Sequence, residues 1–350
     1  MGTIESQYLV AGVIFSFGLS YCLTALMRRL ALIKDITDKP DGGRKSQKEP
    51  VPYLGGLAIS LSVIITILVG SNFISLTSET KADLVYLLFP ATILSLVGLW
   101  DDIRELSPQF RLMVQVILGL AGSLTITFGS TAGSATGNQN LDLLLTIFWI
   151  VGITNALNFF DNLDGGAAVA CFMSALGLFL YSILTDQMYL ASFGVILMGV
   201  MLGFFVWNRR PARIYMGDSG ALFLGMLLAT ITVRIDPQTD SNWAALSVPI
   251  FLLALPIIDT STVVVNRILN KRSPLQGGKD HLSHRLALKG LRHRYVLYVF
   301  AGISLLLQLP IFLYLEFGKL GEYFVFSTFL FAMIITGVLF SRIQIKYEKH

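Results

Sequence analysis

Eleven apolar stretches of near-spanning length run along this chain of 350 residues, at about 8–28, 53–74, 84–100, 111–129, 141–158, 166–185, 187–206, 219–235, 244–266, 295–315 and 321–341. A helix needs about 20 mainly apolar residues to cross the hydrocarbon layer. The stretches therefore predict an all-α polytopic integral membrane protein of about eleven transmembrane helices, forming one membrane domain over 1–350. Composition agrees, since 54% of residues are hydrophobic and 14% charged, against about 25% charged in a soluble domain. Little chain remains for an extended soluble domain.

Lys and Arg set the orientation, because short translocated loops are depleted of them. With the amino terminus outside and the carboxyl terminus cytoplasmic, 23 of the 26 basic residues fall inside, and only Lys81, Arg234 and Lys319 fall outside. Every motif below then lies on the cytoplasmic side. The net charge of +4 is read as this topological bias and not as a nucleic-acid surface. The first apolar stretch has no basic flank before it and Arg28-Arg29 after it, which predicts a retained first helix. The two cysteines, Cys22 and Cys171, lie inside apolar stretches and support neither a disulfide framework nor a thiolate metal site. Small polar residues at 130–140 read as an outside loop.

Acidic and amide residues gather at the ends of these stretches. A carboxylate at the centre of a membrane helix costs about 2.5–3.5 kcal/mol on insertion scales, so clustered ones point to a site. Asp101-Asp102-Ile-Arg-Glu105 follows one apolar run. On a helix Asp101 and Glu105 share a face, and Asp102 points elsewhere. The plain alternative is a solvated helix end.

Asn155, Asn158, Asp161, Asn162 and Asp164 crowd the end of another run, before Gly165-Gly166. Helical spacing places Asn155, Asn158 and Asn162 on one stripe, with the glycines ending the helix or allowing close approach. Interhelical hydrogen bonding by the inner Asn residues is the alternative. Met216-Gly217-Asp218-Ser219-Gly220 precedes a third run, and Asp218 or Ser219 is expected as its N-cap. Arg209, Arg210 and Arg213 lie just upstream, as in an anion site at a helix start, or as ordinary cytoplasmic positive charge.

The loop 267–294 holds His281, His284 and His293 among eight basic residues that include Arg285. Zinc would need a third His or Cys partner that the sequence does not offer, so phosphate recognition fits this loop better. Asp259, after Pro256, reads as a buried hydrogen-bonding group. In the first inside loop, Asp38-Lys-Pro40, Arg44-Lys45, Lys48 and Pro52 to Gly56 form a basic, Pro/Gly-rich stretch in which glycine permits close backbone approach.

Together these loops present five or six acidic or amide oxygens beside three basic segments. Mg²⁺ takes octahedral oxygen coordination with only one or two protein carboxylates, the rest coming from water and substrate phosphate, and Mn²⁺ is a fitting substitute. Phosphoryl transfer needs positioning and charge neutralisation rather than a Ser-His-Asp constellation. The rival classes are a secondary transporter, which would bind near the bilayer midplane, and a phosphotransferase of the CDP-alcohol type, whose Asp-Gly-x-x-Ala-Arg pattern is absent.

In order, these motifs resemble the polyprenyl-phosphate N-acetylhexosamine-1-phosphate transferases, the family containing WecA, TagO and MraY. The resemblance covers nearly the whole chain and looks closer to the branch that transfers N-acetylglucosamine 1-phosphate than to the branch using UDP-N-acetylmuramoyl-pentapeptide. Pro256-Ile-Ile-Asp259-Thr260, then Arg267, Ser273-Pro274 and the His281/His284 loop, carry that distinction. Departures are Glu105, where Asp or Lys is common, Asn162 in place of Gly, and Ser283 in place of His in the usual His-Leu-His-His run.

The resemblance implies a Mg²⁺-dependent enzyme of a bacterial inner (plasma) membrane. It would use a UDP-N-acetylhexosamine and polyprenyl phosphate, initiate a lipid-linked envelope glycan, and be compatible with a homodimer. It implies metal ligation by Asp218 with Asn158, with Asp101 and Asp102 beside the lipid phosphate and Asp101, Asp102 and Asp218 as the catalytic carboxylates. Asn155, Asp161 and Asp164 would serve the donor, Asp161 and Asp164 touching its nucleotide. His281, His284 and Arg285 would lie near the sugar or pyrophosphate, with Lys45 and Lys48 as phosphate contacts. A phosphate monoester has a second pKa of about 6 and is already largely dianionic at neutral pH, so Asp101 is expected to position rather than to remove a proton. A covalent aspartyl-phosphate is the minor alternative.

Overall fold

The computed structural model describes residues 6–39, 49–128, 136–238, 242–274 and 278–318, with 321, 324, 327, 328 and 331 beyond them. Among the described residues, seven helices are long and apolar enough to cross a membrane. They are α1 (Ser6–Ile33), α3 (Ser78–Ile103), α4 (Pro108–Phe128), α5 (Gln139–Phe160), α6 (Gly166–Leu184), α7 (Met188–Asn208) and α12 (His293–Phe317). Two more expected stretches form α2 (Gly55–Gly70) and α8 (Gly217–Thr232), of 16 residues each. At 1.5 Å per residue such helices rise about 24 Å, short of the ~30 Å hydrocarbon thickness.

The stretch expected at 244–266 is not one straight helix. It is α9 (Asn242–Leu252) followed by α10 (Ala254–Leu269), bent by 83° at the intervening residue. Pro256 falls in the first turn of α10, where its missing N–H would lack a helical partner anyway. A short helix α11 (Leu282–Leu288) precedes α12. The last expected stretch, 321–341, falls almost wholly outside the described residues, as does most of the loop expected at 130–140. The protein is thus an all-α polytopic membrane protein, with one short antiparallel pairing, β1 (Thr37–Asp38) with β2 (Val51–Pro52), among the described residues.

Helix α8 forms the centre. It is apolar on every side, and such a helix belongs inside a bundle. Every residue from Ser219 to Thr232 is buried, with α2, α3 and α5 packed around it. The approach at its start is close enough to require glycine: a Cβ on Gly56 would lie 2.0 Å from the Gly220 nitrogen, and one on Gly98 would lie 2.5 Å from the Asp218 carbonyl carbon. At the other end of α8, buried Arg234 pairs with Asp83 from the start of α3, and the Tyr189 hydroxyl of α7 donates to the same carboxylate at 2.8 Å. Large side chains on α1 and α12, such as Ile14, Tyr298 and Leu306, face outward, as lipid contact requires.

Candidate functional site

The start of α8 gathers the acidic motifs. Asp218 stands in its first turn, and the helix has no side-chain cap of its own, contrary to the expected cap by Asp218 or Ser219. The cap comes from α3. The Asp102 carboxylate accepts the Asp218 N–H at 2.9 Å and the Ser219 N–H at 3.2 Å, placing negative charge where the helix dipole favours it. Asp102 therefore points into the site, and Glu105 is the residue left out. Helix α3 ends at Ile103, so helical spacing no longer relates Glu105 to Asp101.

Asp101 accepts the Leu106 N–H at 2.6 Å on one oxygen and Arg111 Nη1 at 2.5 Å on the other. The same Arg111 nitrogen lies 2.5 Å from Asp218 Oδ2. Asn158 Nδ2 of α5 donates to the remaining Asp218 oxygen at 2.8 Å. One chain of contacts thus joins α3, α4, α5 and α8: Asp101, Arg111, Asp218, Asn158. Arg111 enters it unforeseen. Its signal in the sequence was a basic residue in the first turn of an apolar helix just after an acidic pair.

The stripe of three Asn residues divides. Helix α5 stops at Phe160, so Asn162 is off the helix. Asn155 turns away from Asp218 and donates to the buried Gln115 at 2.5 Å and to the Val151 carbonyl at 2.8 Å. Gln115, one turn beyond Arg111, is a second residue that sequence reading passed over. The glycines do not end α5; Gly165, at φ 75°, opens α6, and its N–H donates to buried Asn208 at 2.9 Å.

Asp161, just past α5, donates its backbone N–H to the Leu157 carbonyl at 3.2 Å, but its carboxylate has no hydrogen-bond partner among the described residues. Burial, then the nearby Asp218 and Asp164 charges, push its carboxyl up to about 7. A carboxylate held without donors near another carboxylate suits a cation. Asp164 instead accepts the Ala212 N–H at 3.3 Å, tying the α5–α6 turn to the arginine-bearing loop. No three of His, Cys, Asp and Glu converge as a metal cage among the described residues. The oxygens of Asp218, Asn158 and Asp161 nonetheless fit Mg²⁺, which uses few protein ligands.

The first loop reaches the same place through β2: the Tyr215 N–H donates to the Pro52 carbonyl at 2.8 Å, and the Gly55 N–H to the Tyr215 carbonyl at 3.2 Å. Lys45 and Lys48 lie outside the described residues.

The histidine loop is built on two buried carboxylates. Asp280 receives a two-pronged contact from Arg267, at 2.7 and 2.9 Å, while Arg267 Nη1 donates to the Pro274 carbonyl at 2.8 Å. Burial alone would raise the Asp280 pKa, but Arg267 outweighs it and holds the carboxyl below its ordinary value. Arg285 is itself buried, with Nε donating to the Asp280 carbonyl at 2.8 Å. Asp259 holds His281 Nδ1 at 2.7 Å and accepts the Leu282 N–H at 2.6 Å.

His284 sits edge-on to His281 with ring centroids 6.4 Å apart. Burial, then His281 and Lys279, lower its pKa against the opposing pull of Asp259 and Asp280. The Ser283 hydroxyl donates to the Asn162 amide oxygen, which brings this loop against the end of α5.

Residues 84–236 match glycosyl transferase family 4. A Bacillus subtilis protein described as a probable undecaprenyl-phosphate N-acetylglucosaminyl 1-phosphate transferase is 29% identical, over 78% of this chain and 75% of its own length. The decaprenyl-phosphate N-acetylglucosaminephosphotransferase of Mycolicibacterium smegmatis is 30% identical, over 81% of this chain and 77% of its own. A phospho-N-acetylmuramoyl-pentapeptide-transferase of Streptococcus suis is 28% identical, over 70% and 76% respectively. With its acidic helix ends, its histidine loop and these relatives, the chain belongs to the family of polyprenyl-phosphate N-acetylhexosamine-1-phosphate transferases.

Proposed function

We propose that this protein transfers N-acetylglucosamine 1-phosphate from UDP-N-acetylglucosamine to a polyprenyl phosphate, releasing UMP. An oxygen of the lipid phosphate attacks the β-phosphorus of the donor. The new P–O bond forms as the bond from that phosphorus to the bridging oxygen breaks, and the bridging oxygen leaves with UMP. The observation that carries this reading is the convergence of Asp101, Arg111, Asn158 and Asp218 at the buried start of one helix, where a phosphoryl group can be met by fixed charges.

In this mechanism Asp218, with Asn158 and Asp161, holds Mg²⁺, or Mn²⁺ in its place. The bound ion supplies neutralisation of the pyrophosphate charge. Asp102 fixes the start of α8 and so orients Asp218. Asp101 positions Arg111 next to the acceptor phosphate. His281 and His284 serve the sugar or pyrophosphate, and Asp164 the nucleotide. A site at helix ends rather than at mid-membrane supports transfer over transport. The orientation read from the basic loops puts this site on the cytoplasmic face of a bacterial plasma membrane, with eleven spans and the amino terminus outside. The relatives named for N-acetylglucosamine favour that sugar over the muramoyl-pentapeptide.

The test is purified protein with undecaprenyl phosphate, Mg²⁺ and a panel of UDP-sugars including UDP-N-acetylmuramoyl-pentapeptide, scored by UMP release. Release with UDP-N-acetylglucosamine is expected. No release with any UDP-N-acetylhexosamine overturns the reading.

A further inference from the structure

We propose that Asp259, reaching out of α10, is a positioning residue that fixes the tautomer of His281 and so determines which ring nitrogen the histidine loop presents to the sugar-phosphate donor. The proposal rests on the phosphotransferase reading for its consequence but not for its geometry. Asp259 is 2% exposed and His281 6%. One Asp259 oxygen is committed to the Leu282 N–H at 2.6 Å, a backbone group that can only donate. The other lies 2.7 Å from His281 Nδ1. An ionised carboxylate only accepts, so Nδ1 carries the hydrogen and Nε2 is the nitrogen left over. Among the described residues Nε2 has no hydrogen-bond partner.

The neighbouring residues restrict the ring further. His284 lies edge-on to it, the Asp280 carboxylate is occupied by Arg267, and Ser283 is turned to Asn162. The imidazole is therefore held at one end by a buried carboxylate, with Nε2 as its open end. In neutral His281 this nitrogen accepts a hydrogen bond, as a sugar hydroxyl or acetamido N–H would supply. In protonated His281 it donates to a phosphoryl oxygen. Asp259 reaches the donor only through this ring.

Asp259→Asn is the discriminating variant because it keeps size and one acceptor. Its amide oxygen takes the Leu282 N–H, which turns the amide nitrogen toward Nδ1. The amide nitrogen can only donate, so His281 Nδ1 must accept and the hydrogen moves to Nε2. Histidine-selective ¹⁵N spectra, with His281 assigned by its disappearance in His281→Gln, read the tautomer directly. The expected result is protonated Nδ1 in the wild type and protonated Nε2 in Asp259→Asn.

In the transferase assay Asp259→Asn should lower donor kcat/KM by about 10- to 100-fold, the range that loss of an orienting partner costs at metal-ligating histidines. It should leave the lipid KM unchanged. In the His281→Gln background the same substitution should cost little more, since residues acting as one unit are not additive.

An Nδ1 proton that stays in place in Asp259→Asn overturns the proposal. So does a penalty that persists undiminished in the His281→Gln background, because Asp259 would then act through Leu282 alone. Unaltered turnover in His281→Gln also overturns it. A wild-type protein that releases no UMP overturns the phosphotransferase reading instead, and the tautomer measurement still decides the geometry.

Discussion

Ser283 donates its hydroxyl hydrogen to the amide oxygen of Asn162, so the two positions at which the histidine loop and the α5 end depart from the family pattern are bonded to each other. Ser283 is buried and comes from α11, whereas Asn162 follows α5, 121 residues away in sequence. A small donor on one side and an amide on the other fill this junction, at the two positions where the family pattern has His and Gly.

That exchange predicts coupling. Ser283→His should destabilise the protein by about 1–3 kcal/mol, the usual cost of forcing extra atoms into a packed position. Asn162→Gly in the same chain should recover part of the loss. Melting temperatures of the two single variants and the double variant in one detergent provide the measurement, and simple additivity would show that the two positions do not compensate.

Asp218→Asn should reduce turnover at least about 100-fold, because the amide keeps the shape but loses the charge for the cation and for Arg111. Its Mn²⁺ affinity, followed by electron paramagnetic resonance, should fall together with activity. Wild-type affinity in this variant would remove Asp218 from the metal site.

Asp101 spends both oxygens on Leu106 and Arg111, which is how a positioning group is built. Asp101→Asn should therefore lower kcat by less than the about 10²–10⁴-fold that loss of a general base costs, with the shape of the pH profile retained. An acidic limb that vanishes with the side chain would assign it proton removal. Radiolabelled phosphate retained on Asp101 after acid quench would assign it the covalent route.

For His284 the folded pKa lies below the ordinary 6.5. The folded protein then binds fewer protons than the unfolded chain just below that value, so stability rises with pH there. The contribution is present above pH 6.5 and is lost as pH falls from there through the folded pKa. His284→Gln should flatten this part of a stability-against-pH curve. In the assay, His284→Ala should raise the donor KM and leave the lipid KM nearly unchanged, and an effect confined to the lipid would show that the loop faces the acceptor.

Legibility differed from residue to residue. Asn158 and Asp218 were readable because polar oxygens at the ends of apolar runs have few bland explanations, and their pairing followed once α5 and α8 packed together. Arg111 was not, since one arginine after a membrane helix looks like the general cytoplasmic bias. The contact between Asp102 and α8 lay beyond any local rule: it depends on Gly98 letting two backbones nearly touch. The α9–α10 bend escaped because hydropathy records how apolar a stretch is but not its direction. Lys45 and Lys48 remain expectations from sequence.

Because α3 supplies the cap that α8 lacks, the Asp101-Asp102 and Gly217-Asp218-Ser219 motifs behave as a single transplantable cassette. A chimaera that exchanges α8 with a relative while keeping the native α3 retains this cap only where the incoming helix start seats against Asp102 and Gly98 as closely as the native one does. Domain shuffling within this family should therefore tolerate crossovers that move α3 through α8 together and fail for those that fall between them.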